Sequence, residues 1–449
     1  MNRRDFVTTA FSSMAMGSAA LRGAAATASE DGVPVKVPRA TSGDSIEPNW
    51  VERLTLTVGP EKADLVGSNE KVIQAAVDSV ARWGGGTVKI LPGAYRFRNA
   101  VYLQSNVRIL GSGPDSVITK EPSALSKLAE DSDWFDQEIT LVDARGFEVG
   151  DGICIQAKDA SMGTLKFIKR TLVARNGNRF KLDRALRENA FLAVDPKVET
   201  LFPHFSGEFI ANVAVENLVL DGNKANNTKL DGNFAGCVWL QDCNRVTMRG
   251  LTARNYNGDG LSWQISHDVL VEDCHSHGHT GVGLHPGSGS QRSIIRGNRL
   301  VDNDQGLFWC WGVRWGLAEK NIIERNKRYG ISIGHRDTDN VIRDNDVRSS
   351  GEVGIFFRKE PEAAFQGNRN LIEKNRILGL TQDRGIGIDI QGPTKSVTIA
   401  GNEIRETQAP GQRVGIRIGP EAEQITLDDN HIEGFSEAVV DMRKKGGNA

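Results

Sequence analysis

Seven copies of a glycine–apolar–any–apolar motif recur along the second half of the chain: GLSW (260–263), GVGL (281–284), GLFW (306–309), GISI (330–333), GIFF (354–357), GIGI (385–388) and GIRI (415–418). The steps between them are 21, 25, 24, 24, 31 and 30 residues. A second ladder, Asn298, Asn321, Asn345, Asn375, Asn402 and Asn430, keeps phase with the first. Two periods in phase mark a repeat architecture. One rung is too short to bury an apolar face alone, so consecutive rungs must stack with their strands in parallel. The recurring Asn then hydrogen-bonds from turn to turn and satisfies buried polar groups along the axis. A leucine-rich horseshoe needs an L-x-x-L-x-L pattern that is absent, and a propeller calls for blades of ~40 residues. The period predicts an all-β, single-stranded parallel solenoid.

Composition narrows the partners. The 449 residues carry 55 Lys plus Arg against 57 Asp plus Glu, a formal net charge of −2. Bulk attraction to nucleic acid or to an anionic membrane needs a clear basic excess, so any charged ligand meets a local patch. Five cysteines, an odd number with no CxxC pair, provide neither a disulfide framework nor a zinc ribbon.

Residues 1–28 read as an export signal: Arg3-Arg4, a weakly apolar stretch from Phe6 to Leu21, then small residues to Ala28. The run NRRDFV resembles the twin-arginine signal, which implies a periplasmic or secreted protein. Residues 29–50 are expected to be a flexible leader and 443–449 a disordered tail, and no other segment has the ~18 apolar residues of a membrane span.

The stretch NEKVIQAAVDSVARWGGGTVKILPGAYRF (69–97) reads as an amphipathic helix followed, after Gly84-Gly85-Gly86, by a first strand. With the two ladders it resembles the pectate-lyase-like right-handed parallel β-helix superfamily, over about residues 69–442. The resemblance implies a right-handed β-helix over 51–442, an N-terminal helix capping the open core, and a β-rich insertion near 140–205. It also implies a carbohydrate-active protein. The superfamily holds lyases, hydrolases, epimerases, tailspikes and adhesins, so function must be argued from the site.

Strand side chains alternate in direction. Positions +1 and +3 after each motif glycine are apolar and are expected inside; positions 0, +2 and +4 are expected outside. The outward set then includes Gln264, His285, Phe308, Cys310, Phe356, Arg358 and Asp389, with Trp239 one rung earlier. Position +5 adds Trp311, His335 and Lys359, followed by Arg336 and Glu360. Aromatic walls around the small residues Ser332 and Gly334 predict a groove for a polysaccharide or oligosaccharide, with Trp239, Gln264, His285, Phe308, Trp311, Arg336, Phe356 and Arg358 as substrate contacts.

Two chemistries fit. For β-elimination on a uronate, His335 or Lys359 is the base, its pKa lowered by cationic neighbours, and Arg336 or Arg358 holds the sugar carboxylate as a fork. For hydrolysis, Glu360 with Asp389, or Asp337 with Glu360, flanks the bond. The polygalacturonase-like hydrolases of this fold carry D-D and R-I-K on successive rungs, which this chain lacks. Asp259 in NGDG reads as a turn residue, and Cys310, with no flanking Cys/His signature, as an apolar contact. The run HSHGHTGVGLH holds His275, His277, His279 and His285 without the ligand spacing of a metal site. Calcium is the metal the resemblance implies, and it needs convergent carboxylates that the sequence does not place; no metal ligand is assigned. The alternative to an enzyme is a non-catalytic glycan-binding or surface structural module.

Overall fold

A computed structural model describes residues 48–158, 163–408 and 411–443. The expected signal segment, nearly all of the leader and residues 444–449 lie outside the described residues.

The chain coils through three parallel sheets, one of thirteen strands and two of eleven among the described residues. Each turn contributes one strand to each sheet; Ile294–Arg296, Arg299–Val301 and Gln305–Phe308 make up one turn, and Leu317–Glu319 begins the next on top of the first. The core is a column of side chains from the third sheet, including Leu261, Trp263, Leu307, Trp309, Ile331, Ile333, Ile355 and Phe357, each at most 1% exposed. The asparagine ladder runs down one corner. Asn321 Nδ2 donates to Asn345 Oδ1 at 2.8 Å and Asn345 Nδ2 to Asn375 Oδ1 at 2.9 Å, and the pattern continues to Asn430.

The helix Glu70–Arg82 closes one end of the column. The Asn69 side chain accepts from the Lys71 and Val72 N–H groups at its N-terminus, and Ile73, Ala76, Val77 and Val80 form its buried face, as the 3.6-residue period requires. Gly85 follows at φ +103° and lies against the Asn106 carbonyl, where a Cβ would collide with it. Between Lys120 and Phe205 the chain leaves the coil to make a six-stranded antiparallel sheet, from Leu125–Lys127 to Lys197–Glu199. That sheet has its own core around Phe147, Ile155, Phe180 and Val198.

The register corrects the sequence reading at two rungs. Leu261 pairs with Leu284 and Ile355 with Ile388, so the glycines in line are Gly283 and Gly387 rather than Gly281 and Gly385. Position 0 also points inward, not out. A Cβ on Gly283 would come within 2.7 Å of the Gly306 carbonyl, and one on Gly387 within 2.5 Å of the Gly415 carbonyl. Cys237 occupies the same lane, fully buried. The recurring glycine is thus a close-packing requirement at the coil's corner.

Candidate functional site

With the register fixed, the outward +2 lane of the third sheet reads Trp239, Ser262, His285, Phe308, Ser332, Phe356, Asp389 and Arg417. The +4 lane places Gln264 beside Gly287 and Gly287 beside Cys310, with Arg358 further along. His285 and Asp389 therefore sit in the +2 lane, two residues from their expected place, and Asp389 does not neighbour Arg358.

Arg358 organises the middle of this face. Its Nη1 donates to Ser332 Oγ at 2.7 Å, its Nη2 to the Trp309 carbonyl at 3.0 Å, and its Nε lies 3.4 Å from Glu360 Oε1. Asp337 Oδ2 is 3.5 Å from Nη2, and the guanidinium carbon stands 4.5 Å from the centre of the Phe308 ring. Arg358 is consequently engaged with the protein and does not present a free fork to a sugar carboxylate, which corrects that expectation. Asp337 is fully buried and accepts the N–H groups of Gly312, Val313 and Gly334. Burial outweighs these bonds and the Arg358 charge, and pushes its pKa up to about 7.

Beside this cluster His335 is clamped between two rings. Trp311 stacks on it at 4.4 Å with 20° between planes, and Phe365 at 4.7 Å with 24°. Glu360 meets this residue twice: Oε1 accepts the backbone N–H of His335 at 2.9 Å, and Oε2 lies 3.5 Å from the ring Nδ1. Arg336, exposed, lays its guanidinium over Phe365 at 5.0 Å. The structure thus brings Phe308, Trp311, His335, Arg336, Arg358 and Glu360 together. The indole of Trp311, 57% exposed, is the aromatic surface open to a ligand, and it lines a hollow of about 410 Å³ with Phe234, Gln264, Ile265, Ser288 and Cys310.

The other expected residues stand apart. Trp239 is buried beneath the segment 231–236: its indole nitrogen donates to the Asn233 carbonyl at 3.0 Å, and Lys169 from the antiparallel sheet sits 3.0 Å over its ring. It is no sugar platform. Phe356 packs against Tyr329 at 4.8 Å. Lys359 is exposed and paired with Glu421 at 2.7 Å, which corrects its expected place as a base in the groove. Asp389, 1% exposed, is held by Arg417 at 2.6 Å and by Gln391. Its carboxylate meets Arg417, one rung further on, while that of Glu360 turns back to Arg358 and the backbone N–H of His335, so the two do not flank one bond.

Two residues given no chemical role in the sequence, Asp259 and Cys310, meet the expected contact His285 here. Asp259 Oδ2 lies 2.7 Å from His285 Nδ1, and Cys310 stands on the adjoining rung, its N–H donating to the Pro286 carbonyl at 3.1 Å. His285 is 3% exposed, so it is not the open substrate contact expected. The signal in the sequence is a spacing of one coil plus a few residues, legible only once the register is known. Elsewhere, His275 and His277 stack at 4.2 Å and His279 is buried, accepting the Tyr256 N–H. Among the described residues no group of three or more His, Cys, Asp or Glu side chains is placed to hold a metal ion. Among the described residues the side chains therefore offer calcium no cluster of carboxylates.

Residues 216–368 match the family described as the right handed beta helix region, and residues 304–448 match the periplasmic copper-binding protein family NosD. Mannuronan C5-epimerase AlgE2 of Azotobacter vinelandii is 23% identical over 304 residues, which are 66% of this chain and 22% of that protein. The match therefore spans only about a fifth of the relative's length. Among solved structures, the A-module of the A. vinelandii mannuronan C-5 epimerase AlgE4 aligns with a TM-score of 0.51 at 15% identity, covering 85% of this chain and 97% of the module. The Streptococcus pneumoniae surface adhesin PfbA aligns with a TM-score of 0.51 at 13% identity, covering 85% and 93%. No helix among the described residues is long and apolar enough to cross a membrane. With stacked parallel strands in three sheets, a capping helix and these matches, the chain is a right-handed parallel β-helix.

Proposed function

We propose that this β-helix acts on an acidic polysaccharide outside the cytoplasm and removes the proton next to a uronate carboxylate. Its relationship to mannuronan C5-epimerases supports a carbohydrate-active or carbohydrate-binding role, and the family matched by its C-terminal third is described as periplasmic. The observation that carries the reading is His335, stacked between Trp311 and Phe365 with the Glu360 carboxylate beside its ring. In this reading Trp311 supports a sugar ring, the exposed Arg336 holds the carboxylate, and His335 takes the adjacent proton. The resulting carbanion either expels the oxygen at the neighbouring carbon, breaking the chain by β-elimination, or regains a proton on the opposite face, inverting the centre. Hydrolysis is less well supported: Glu360 and Asp389 do not flank a common bond, and Asp337, the other expected partner of Glu360, is fully buried with its oxygens on the N–H groups of Gly312, Val313 and Gly334.

Purified protein is incubated in D2O with polymannuronate, polygalacturonate and hyaluronate. NMR reads deuterium at the carbon beside the carboxylate, and ultraviolet absorbance reads unsaturated uronate. Absorbance without deuterium means elimination, because that carbon ends in a double bond and carries no hydrogen, and deuterium without absorbance means epimerisation. Neither signal with any of the three overturns the proton-abstraction reading.

A second reading, glycan binding without turnover, is favoured by the engagement of Arg358 and Lys359 with protein carboxylates. It predicts retardation of the protein in a polysaccharide-containing gel with neither isotope exchange nor new ultraviolet absorbance.

A further inference from the structure

The groove beside Trp311 holds a second set of reactive groups that proton abstraction does not use. Of the five free cysteines four are buried, and Cys310 alone reaches the surface, in the wall of the hollow. Behind it lies His285, 3% exposed, with its ring edge against Phe308 at 5.2 Å. His285 Nδ1 is 2.7 Å from Asp259 Oδ2, while Nε2 is buried with no hydrogen-bond partner, and Cys310 stands on the adjoining rung, its N–H donating to the Pro286 carbonyl next to His285 at 3.1 Å. Asp259 is fixed in turn, since its Oδ1 accepts the Val282 N–H at 2.8 Å. Gly232 and Gly281 pack so closely on this carboxylate that a Cβ at either would collide with it. Carboxylate, imidazole and thiol therefore stand in series, drawn from three successive rungs and ending at a hollow.

This is the arrangement that activates a thiol: a general base within reach of the nucleophile and a third group orienting the base. We propose that Cys310 is a nucleophile with His285 as its acid–base partner and Asp259 as the residue positioning that imidazole, and that the hollow takes a short carboxylic ester, an O-acyl group on a sugar hydroxyl. The apolar walls Phe234, Ile265 and Trp311 suit a small acyl chain, and Gln264 supplies a polar side chain. Burial disfavours the His285 imidazolium, but the Asp259 hydrogen bond and the Cys310 sulfur outweigh it and raise its pKa to about 10.

The reaction balances with water as the only co-reactant. The Cys310 thiolate attacks the ester carbonyl, the C–O bond to the sugar breaks, and His285 gives its Nε2 proton to the departing sugar oxygen. The acyl group is then a thioester on Cys310. Water, losing a proton to His285, attacks this thioester; the C–S bond breaks, the carboxylic acid leaves and gives its proton to solvent, and the thiolate and imidazolium are restored. The sugar half of this substrate rests on the carbohydrate reading above; the thiol chemistry does not.

The test uses the intact protein and 4-nitrophenyl acetate, an ester with no uronate, so its outcome is separate from that of the deuterium assay. A burst of about one nitrophenolate per chain is expected, with an acetyl group found by mass spectrometry on the peptide bearing Cys310. Cys310→Ala and the near-isosteric Cys310→Ser abolish the burst, and His285→Asn lowers the rate at least about 100-fold. Asp259→Asn moves the pH profile to lower pH, because the imidazolium loses its counter-charge; a merely structural role would not shift it. A burst that survives Cys310→Ala, or an acetyl group on another residue, overturns the nucleophile. A Cys310-dependent burst without acetate release from acetylated alginate and acetylated pectin overturns the sugar ester and leaves the thiol assignment standing.

Discussion

The indole of Trp311 stacks on the imidazole of His335 at 4.4 Å, although the two residues belong to successive rungs and neither lies in a regular strand. The stack leaves the far side of the indole open, where a sugar ring can lie. Trp311→Ala removes that surface and the support of His335. An aromatic contact of this kind is worth about 1 kcal/mol, so affinity for an acidic polysaccharide falls roughly five- to tenfold, measured by affinity electrophoresis. Because Trp311 is more than half exposed, the melting temperature changes little.

Asp337 links the site to pH. Its pKa is raised from the usual 3.8 to about 7 by burial, so between these values the folded chain holds a proton that the unfolded chain has released. Stability contributed by this group is therefore full below about pH 4 and falls as pH rises towards 7. Asp337→Asn removes the dependence and leaves one of the three backbone N–H groups short of an acceptor, at a cost of about 1–3 kcal/mol. Guanidinium titrations at pH 5 and pH 8 are expected to show the wild type well above the variant at pH 5, with the gap narrower at pH 8. A gap that widens with pH contradicts the raised pKa.

The corner glycines make a steric prediction. A Cβ on Gly330 would lie 2.5 Å from Val347 Cγ1 and 2.6 Å from the Gly354 carbonyl, and the carbonyl belongs to a strand that cannot move alone. Gly330→Ala is expected to cost about 1–3 kcal/mol, read as a lower denaturation midpoint. Gly289→Ala, where no heavy atom lies within 4 Å of the added Cβ, bears only the strain of its positive φ and serves as the comparison.

Asn345 tests the ladder. Its side chain donates to the Ala318 carbonyl and to Asn375 Oδ1, both at 2.9 Å, and accepts from Asn321. Asn345→Ala leaves several buried groups unpaired, each costing about 1–3 kcal/mol. The loss is expected to exceed that of Asn430→Ala, where the ladder is partly buried at its end. Equal losses at the two positions would mean that the bonds do not act as a chain.

Much of the fold is legible in the sequence, because a strand's inside and outside alternate with period two. Choosing the wrong glycine in GVGL or GIGI slips the register by two residues, which preserves parity: Leu284 and Ile388 remain in the core either way. The lanes do not survive the slip. His285 and Asp389 move from +4 to +2, and with them goes the chance to notice Asp259, His285 and Cys310 together. What resolves the choice is the approach of one rung's carbonyl to the next rung's glycine, a contact between residues about a coil apart that no local pattern displays. The burial of Trp239 was equally out of reach, since the segment that covers it is held by Phe167 and Lys169 from a separate sheet.

The successive asparagines that bond to one another are 23, 24, 30, 27 and 28 residues apart, yet each bond is made. The coil resembles a stitched book, with its pages sewn along one margin and free to differ in width at the other. The extra residues of the wider pages, such as those carrying Glu360 and Phe365, spill out beside the third sheet. Length can therefore be added or removed at that fore-edge, and new contacts tried there, without undoing a stitch.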